Sequence, residues 1–482
     1  MNLKPTKSKL KKTYGWLLIT LILSLLTPIP LSSTTQVASA SSSGSAQYDV
    51  VVIGSEIQGV LLAREARNQG LNVLILDPRN RPGGELIQGQ MFFLDDVNDN
   101  SKKNLVQGEI KNLFNDYKKG KIRKAADFEL YYEKLLQGIP LKSGITIDSV
   151  STLSGAKDKS LQSLTYRLKD GSKTNVTSRY WVENTDFNAL SGKLAGKRIP
   201  GMETLYNGKK PDYMAATYML NFKNVDWGKL HQAVLKDYPL TNVAKKYGPN
   251  TYVDWQFATG FSNITSQYKA LTTLLKLRGL NVTYQKDGQA IINALLIYDV
   301  DPADPISVQG AVAKGRAEAP HILSFLRANI PGFAKAELNG FPDYLYIRDY
   351  NRFETKYVLD YPDLMDSKMF WDNVSIGGYS IDLQGTRAIP TGIGFGKPDR
   401  YGLPLRSFEL KSYDNVLVTG KNVGAAIKAY GSARIMPTTA LAAQTIGIIL
   451  GREKNKRLVD LTPADFKIIH QYLAKDYKIV LQ

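Results

Sequence analysis

Hydrophobic patterning is most regular between Tyr48 and Asp77. Tyr48 to Ile53 is a β-branched run with no polar break after Asp49, the pattern of a central parallel strand covered on both faces. Gly54 supplies a turn, Ile57, Val60, Leu61 and Ala66 recur at near-helical spacing, and Gly70 stands where a helix C-cap belongs. Leu71 to Leu76 reads as a second buried strand, closed by Asp77. Further on, Asn104 to Lys119 and Ala125 to Leu136 have the spacing of amphipathic helices. Ile145 to Val150, Leu161 to Lys169 and Asn175 to Glu183 read as a small antiparallel meander, the last two joined at Asp170-Gly171. Met214 to Phe222 alternates like a strand, Ala270 to Arg278 has helical spacing, and Val308 to Asn329 predicts a long helix that Pro320 should kink. Near the end, Tyr413 to Gly420 reads as a turn, a short buried strand and a glycine, and Pro437 suits the first turn of an Ala/Gly-rich helix running through Gly447.

Composition adds compartment and excludes some chemistries. The 482 residues, 43% hydrophobic and 22% charged, can bury a large core and build two domains. Residues 1–40 stand apart. Lys4, Lys7, Lys9, Lys11 and Lys12 form a basic start, Trp16 to Leu26 an apolar run and Ala38-Ser39-Ala40 a small-residue cleavage site, followed by a Ser-rich linker over 41–47. This predicts a secretory signal peptide cut after Ala40, of the general-secretion type because no twin arginine precedes the apolar run. That run is short for a bilayer span and stops at Pro28 and Pro30, which argues against an uncleaved anchor. The absence of cysteine excludes disulfides, thiol catalysis, a lipidated-cysteine anchor and a cysteinyl flavin. Of the net charge of +18, five units lie in residues 1–40, leaving 13 on the mature chain. The excess is diffuse: Lys118, Lys119, Lys121, Arg123, Lys124 and Arg452, Lys454, Lys456, Arg457 read as solvated faces, not nucleic-acid sites. They would hold an exported protein near anionic wall polymers or lipid headgroups. His231 and His321 stand alone, without metal-ligand spacing, so no metal is expected.

The strand, glycine turn, helix, strand and terminal acid of residues 48–77 form the opening unit of a dinucleotide-binding domain, with Asp77 placed for ribose hydroxyls. One residue departs from G-x-G-x-x-G. Gly54 and Gly59 are present, but after Ser55 the second glycine is replaced by Glu56, whose side chain and charge both oppose a diphosphate. The following loop, Pro78-Arg79-Asn80-Arg81-Pro82-Gly83-Gly84-Glu85, offers arginines and bare backbone to phosphates, or is a plain surface turn. Residues 201–343 have another texture, richer in Tyr and Asn, and read as an inserted substrate or cap domain. The later block Tyr430-Gly431-Ser432-Ala433-Arg434-Ile435-Met436-Pro437-Thr438 ends in a helix N-terminus, a place for an electron-rich ring.

These blocks resemble the FAD-dependent oxidoreductases built on the two-part, glutathione-reductase-like flavin fold. The similarity extends over nearly the whole mature chain and includes Ile347-Arg348-Asp349-Tyr350-Asn351-Arg352-Phe353, Tyr379-Ser380-Ile381-Asp382, Tyr401-Gly402-Leu403-Pro404-Leu405-Arg406, Asn415 to Asn422 and Gly431 to Thr438. The resemblance implies an α/β architecture. A Rossmann-like FAD-binding domain would be assembled from residues 48–200 and 344–455, with an inserted α+β cap over 201–343 sharing strands with it and a helical tail over 456–482. It implies FAD held by Gly54, Ser55, Glu56, Gly59, Asp77, Pro78, Arg79, Arg81, Gly83 and Gly84 at the adenosine diphosphate, and by Gly420, Gly431, Ser432, Arg434, Pro437 and Thr438 at the ring. Tyr430, Arg387 and Arg348 are the candidate catalytic residues, with Arg352, Tyr379, Asp382 and Arg406 as further substrate contacts. The chain departs from the family at Glu56, at Glu183-Asn184-Thr185-Asp186 in place of an alanine-threonine-glycine turn, and at Tyr430 in place of a frequent histidine. Three readings follow: an exported enzyme passing hydride from a small organic substrate to the flavin N5, an extracellular binding protein with little or no flavin, and a dinucleotide protein without a redox role.

Overall fold

Two seven-stranded sheets carry the chain in the computed structural model, which describes residues 46–482; the expected signal peptide and most of the linker lie outside them. In the first sheet, β1 (Ala46–Ile53) runs parallel to β2 (Val73–Asp77) on one side and to β6 (Lys173–Glu183) on the other, with Val50 opposite both Val73 and Tyr180. Every residue of β2 is buried, as its unbroken apolar run requires. The strand β3 (Leu141–Ser143) extends the sheet beyond β2. The outer edge of β6 is shared. Its first half pairs antiparallel with β5 (Lys159–Arg167), itself paired with β4 (Thr146–Ser154), while Trp181 to Glu183 pair in parallel with Val416–Val418. The C-terminal segment thus completes the N-terminal sheet, as a domain built from both ends of the chain demands.

The helix α1 (Ile57–Asn68) follows β1 through the Gly54 turn and ends at Gly70, which has φ +87° and donates its N–H to the Arg67 carbonyl. It packs against the buried helix Met436–Arg452 at backbone distance: a Cβ at Gly447 would lie 2.5 Å from the Leu62 carbonyl oxygen. This pairing fixes the start of both helices at one end of the sheet. The second sheet is antiparallel, in the order Glu337–Leu338, Ala216–Lys223, Ala290–Ile297, Leu280–Tyr284, Phe257–Gly260, Tyr252–Val253, with Leu275–Leu277 added to Ala290–Ile297. The helix Pro305–Asn329 covers it, capped by the Asp304 carboxylate and continuing through Pro320. Both sheets belong to one compact unit, Ser45–Gln482. Among the described residues no single helix is long and apolar enough to cross a membrane.

Three local expectations are corrected. Ala270 to Arg278 is not helical: Leu275 and Leu277 are buried and Lys276 turns outward, a two-residue period that pairs antiparallel with Leu295 to Ile297. The first amphipathic helix is only Ile110–Lys118, because Asn104 bridges to Asn98 and Gly108 takes φ +68°. Arg123 is no part of a solvated face. It is buried against the Tyr117 ring, 4.5 Å away, and bonds the Gln256 amide oxygen.

Candidate functional site

The parallel strands β1, β6 and Val416–Val418 end on the same side of the sheet, where the Gly54 turn, the Thr185–Asp186 segment and Gly420 meet. Gly54 has φ +96°, and a Cβ there would lie 2.7 Å from the Asn184 backbone, so the turn admits only glycine. Glu56 follows at the start of α1 and folds back over the turn. Its carboxylate accepts the Glu85 N–H at 2.9 Å and the Arg79 guanidinium. Gly84 makes room for it: a Cβ at Gly84 would stand 1.8 Å from the Glu56 Oε1.

The neighbouring groups are equally engaged. Asp77 accepts the Arg79 backbone N–H at 2.8 Å, its side chain at 3.0 and 3.2 Å, and the Ser55 hydroxyl, which itself accepts the Gly83 N–H at 3.1 Å. The Gly59 N–H, in the first turn of α1, donates to Asn184 Oδ1 at 2.8 Å. Lys421 reaches Glu85 at 2.7 Å and Asp186 at 3.7 Å, and the Tyr344 hydroxyl donates to Asp186 at 2.8 Å. Glu56, Asp77, Arg79, Glu85 and Asp186 are all buried. Burial would raise the Glu56 carboxyl, but Arg79 and Lys421 outweigh it and hold its pKa below the ordinary value. For Glu85 and Asp186 burial prevails over Lys421, and their pKa values are raised. Burial alone would lower Lys421, yet Glu85, Asp186 and Glu56 raise it. This end of the site pairs its own charges.

The other end is built differently. The helix Met436–Arg452 begins after Ile435 with no side-chain cap and with proline in its first turn. Before it, Arg434 donates to the Tyr346 hydroxyl and to the Asp382 carbonyl, both at 3.2 Å. Its Nε has no partner, nor has the buried Thr438 Oγ1. A cavity of about 20 Å³ opens here, lined by Asp95, Tyr346, Lys421, Arg434 and Met436 among others, room for about one water. Arg348 lies over the Tyr346 ring at 4.3 Å and donates to the Ala215 carbonyl at 2.9 Å and Asn293 Oδ1 at 3.2 Å. Arg278 donates to that same Asn293 oxygen at 3.2 Å. Crowding by surrounding atoms pushes Asp95 up to about 6, aided by Asp382 and opposed by the Tyr379 hydroxyl, Arg434 and Arg278. Burial lowers Arg348 to about 9; Tyr346 opposes this, while the cations Arg278 and Arg434 add to it.

The residues singled out in the sequence divide accordingly. Gly54, Ser55, Glu56, Gly59, Asp77, Arg79, Gly83 and Gly84 come together at the first end, with Pro78 between Asp77 and Arg79, and Gly420 at φ +62° beside Gln58 and Asn184. Arg434, Pro437, Thr438 and Arg348 meet at the second. Others are placed in the framework. Tyr430 is fully buried, donates its hydroxyl to the Arg348 carbonyl at 2.9 Å and lies 3.7 Å under the Arg352 guanidinium, so it positions Arg348 and faces no open space. Arg352 pairs with Asp349, and Arg406 with Asp372 at 2.9 Å. Gly431 packs on Ile381 and Asp382, and the Ser432 hydroxyl bonds the Tyr379 carbonyl at 2.6 Å. Arg387 pairs with Asp299 at 2.9 Å on the surface, and Arg81 with Asp343 at 3.3 Å, both exposed. His231 packs on the Trp255 ring. Three residues were missed: Asp95, Lys421 and Arg278. Lys421 lies within the Asn415 to Asn422 block, Asp95 closes the apolar run Met91 to Leu94, and Arg278 is hidden by reading its strand as a helix.

The family described as FAD dependent oxidoreductase matches residues 49–464. No curated protein matches the sequence. Among solved structures the chain is similar to a flavoprotein/dehydrogenase from Cytophaga hutchinsonii, with 9% identity, TM-score 0.41, and 90% of this chain and 84% of that one covered. It is similar to a geranylgeranyl bacteriochlorophyll reductase-like protein from Thermoplasma acidophilum, with 12% identity, TM-score 0.37 and coverage of 90% and 85%. A third is p-nitrophenol 4-monooxygenase from Pseudomonas putida, with 10% identity, TM-score 0.38 and coverage of 90% and 96%.

Proposed function

The chain belongs to the FAD dependent oxidoreductase family, and from that premise we propose that it is an exported enzyme that removes a hydride from a small organic substrate. The observation that carries this reading is the cavity at the start of the Met436–Arg452 helix, where the Asp95 carboxylate and the Arg434 guanidinium share one space with an uncapped helix end. FAD, when bound, supplies a two-electron acceptor at its N5. The helix N-terminus, worth roughly half a positive charge, would stabilise the ring as it gains electrons. Asp95, at about 6, is poised to take the proton that leaves a substrate hydroxyl or amine as the adjacent carbon gives up hydride. The substrate then loses two electrons and two protons, one proton within the hydride and one to Asp95. Export is supported by the signal-peptide pattern of residues 1–40, and residence near anionic cell-surface polymers by the +13 mature charge.

The residue set fits FAD in its donor chemistry. Arg79, Lys421 and the Glu85 N–H would be the donors for a diphosphate and Asp77, at the end of β2, the acceptor for ribose hydroxyls, while Arg434 Nε and Thr438 Oγ1 are unpartnered polar atoms at the end proposed for the ring. The fit carries a condition: Glu56 must yield Arg79 and the Glu85 N–H, and Asp77, Glu85 and Asp186 must share Arg79 and Lys421, with the diphosphate. That self-pairing favours a second reading, a flavin-poor binding protein on the same fold. The visible spectrum of the purified mature protein separates the two. Flavin bands that bleach with dithionite are expected; a colourless protein that cannot be reconstituted with FAD overturns the enzyme reading.

A further inference from the structure

We propose that Arg278, Arg348 and Arg434 together recognise a carboxylate on the substrate, so that the protein acts on a small organic acid. The location rests on the oxidoreductase reading above; the anion site itself stands on geometry. Three guanidinium groups converge from separate parts of the chain: Arg278 follows the strand Leu275–Leu277, Arg348 lies in the segment after the second sheet, and Arg434 precedes the Met436–Arg452 helix. Arg278 and Arg348 donate to one oxygen, Asn293 Oδ1, each at 3.2 Å, so their donor nitrogens lie within two hydrogen-bond lengths of each other. Tyr346 ties in the third, its ring under Arg348 at 4.3 Å and its hydroxyl accepting from Arg434 at 3.2 Å.

The cluster lacks counter-ions. Elsewhere the buried or half-buried arginines Arg79, Arg352, Arg198 and Arg406 each hold a carboxylate within salt-bridge distance, and the buried Arg123, which holds none, stands alone between the Tyr117 and Phe257 rings and not beside other cations. Among the described residues, Arg278, Arg348 and Arg434 hold none, and the Nε atoms of Arg278 and Arg434 have no hydrogen-bond partner. Like charges gathered out of water repel, and a protein keeps such a group where an anion completes it. Asp349, within range of Arg434, is taken up by its own pair with Arg352, so Asp95 and Asp382 are the acids left to face the three arginines, a balance of one positive unit. That balance matches a monoanion, and the planar forks match a carboxylate accepting in its own plane. Asp95, Arg278 and Tyr379 keep partial contact with solvent, giving a small acid a way in.

The test uses the purified mature protein, its visible spectrum recorded first. Propionate and phenylacetate are titrated against the melting temperature, and against the flavin bands where present, with propionamide and phenylacetamide as uncharged controls and chloride at matched ionic strength. The acids should raise the melting temperature by several degrees at millimolar concentration, and the amides and chloride should not. Arg278→Met, at the partly exposed edge of the cluster, should weaken acid binding about tenfold or more without changing the far-UV spectrum. Arg278→Lys should restore only part of it, since charge returns without the fork. Coloured protein with no preference of acid over amide overturns the carboxylate site and leaves the oxidoreductase reading standing. Colourless protein that binds the acids and loses them in Arg278→Met supports the site and removes the oxidoreductase. Equal binding by wild type and Arg278→Met overturns the assignment in either case.

Discussion

The two ends of the cleft differ in how they settle their charges. At the end proposed for the diphosphate, two cations, Arg79 and Lys421, are enclosed by Glu56, Asp77, Glu85 and Asp186, and the bridging distances are those of completed ion pairs. At the end proposed for the ring, three cations face no carboxylate at contact distance and leave polar atoms without partners. Arg278 and Asp95 keep partial contact with solvent, but Arg348 and Arg434 are as buried as Arg79, so for these the contrast is one of compensation, not exposure. In a paired buried cluster the loss of one partner strands the others, whereas an unpaired cluster depends on what it binds. Glu56 is the residue that makes the difference, because it places a carboxylate where the family's fingerprint would leave bare backbone.

Removing a pairing partner from the first end should therefore have the largest effect. Arg79→Met leaves Glu56 and Asp77 buried without their cation, and a loss of about 4 kcal/mol is expected in urea unfolding. A loss under about 1 kcal/mol would erase the contrast, since it would mean that the pairing contributes nothing. Glu56→Gln is the next step down, with a loss of about 2 kcal/mol, because the amide keeps a hydrogen bond to the Glu85 N–H but not the charge. The same change should tighten FAD by on the order of tenfold, since the diphosphate no longer competes with a carboxylate. The pH dependence carries its own sign. With the folded pKa of Glu56 depressed, its contribution is present above the unfolded value of about 4.3 and is lost as pH falls through the folded value. Glu85 and Asp186, raised in the fold, contribute in the opposite sense, and that contribution is lost as pH rises through their folded values. Acid unfolding of Glu56→Gln should show a smaller loss of stability at low pH than the wild type, the remainder coming from other lowered carboxyls such as Glu203; identical acid profiles would show that Glu56 is not the paired group.

Much of this contrast could be read in the sequence at one end and little at the other. The β1, α1, β2 unit declares itself through period and glycine turns, and Glu56 stood out because a motif defines what should be there. Its partners did not: Lys421 comes from the far end of the chain, and the need for Gly84 beneath Glu56 is visible only once the carboxylate is placed. At the ring end no local signal exists. Arg278 lies beyond a three-residue strand too short for its period to register, and Asp95 becomes notable only when Arg434, Tyr379 and Arg278 surround it. Tyr430 shows the reverse error, since a residue at a family position proved to be a buried prop for Arg348. Short-range patterns gave the scaffold; compensation between charges is a property of contacts remote in sequence.

Two smaller changes sharpen the boundary between the ends. Tyr344→Phe removes the hydroxyl from Asp186 and should cost about 1 kcal/mol, because the acid keeps Lys421 nearby and its raised pKa lets it hold a proton instead. Arg387→Ala should do least. Its guanidinium pairs with Asp299 at 2.9 Å, but the two side chains are 60% and 48% exposed, and water screens and competes with such a pair. The melting temperature should move by no more than about 1 °C, and the binding of propionate should be unchanged. The comparison with Arg278→Met is the decisive one, because both variants remove one arginine, one from a solvated pair and one from an uncompensated cluster. If Arg387→Ala loses carboxylate binding while Arg278→Met keeps it, the anion site belongs on the surface beside Asp299 and the ring end loses its claim to it.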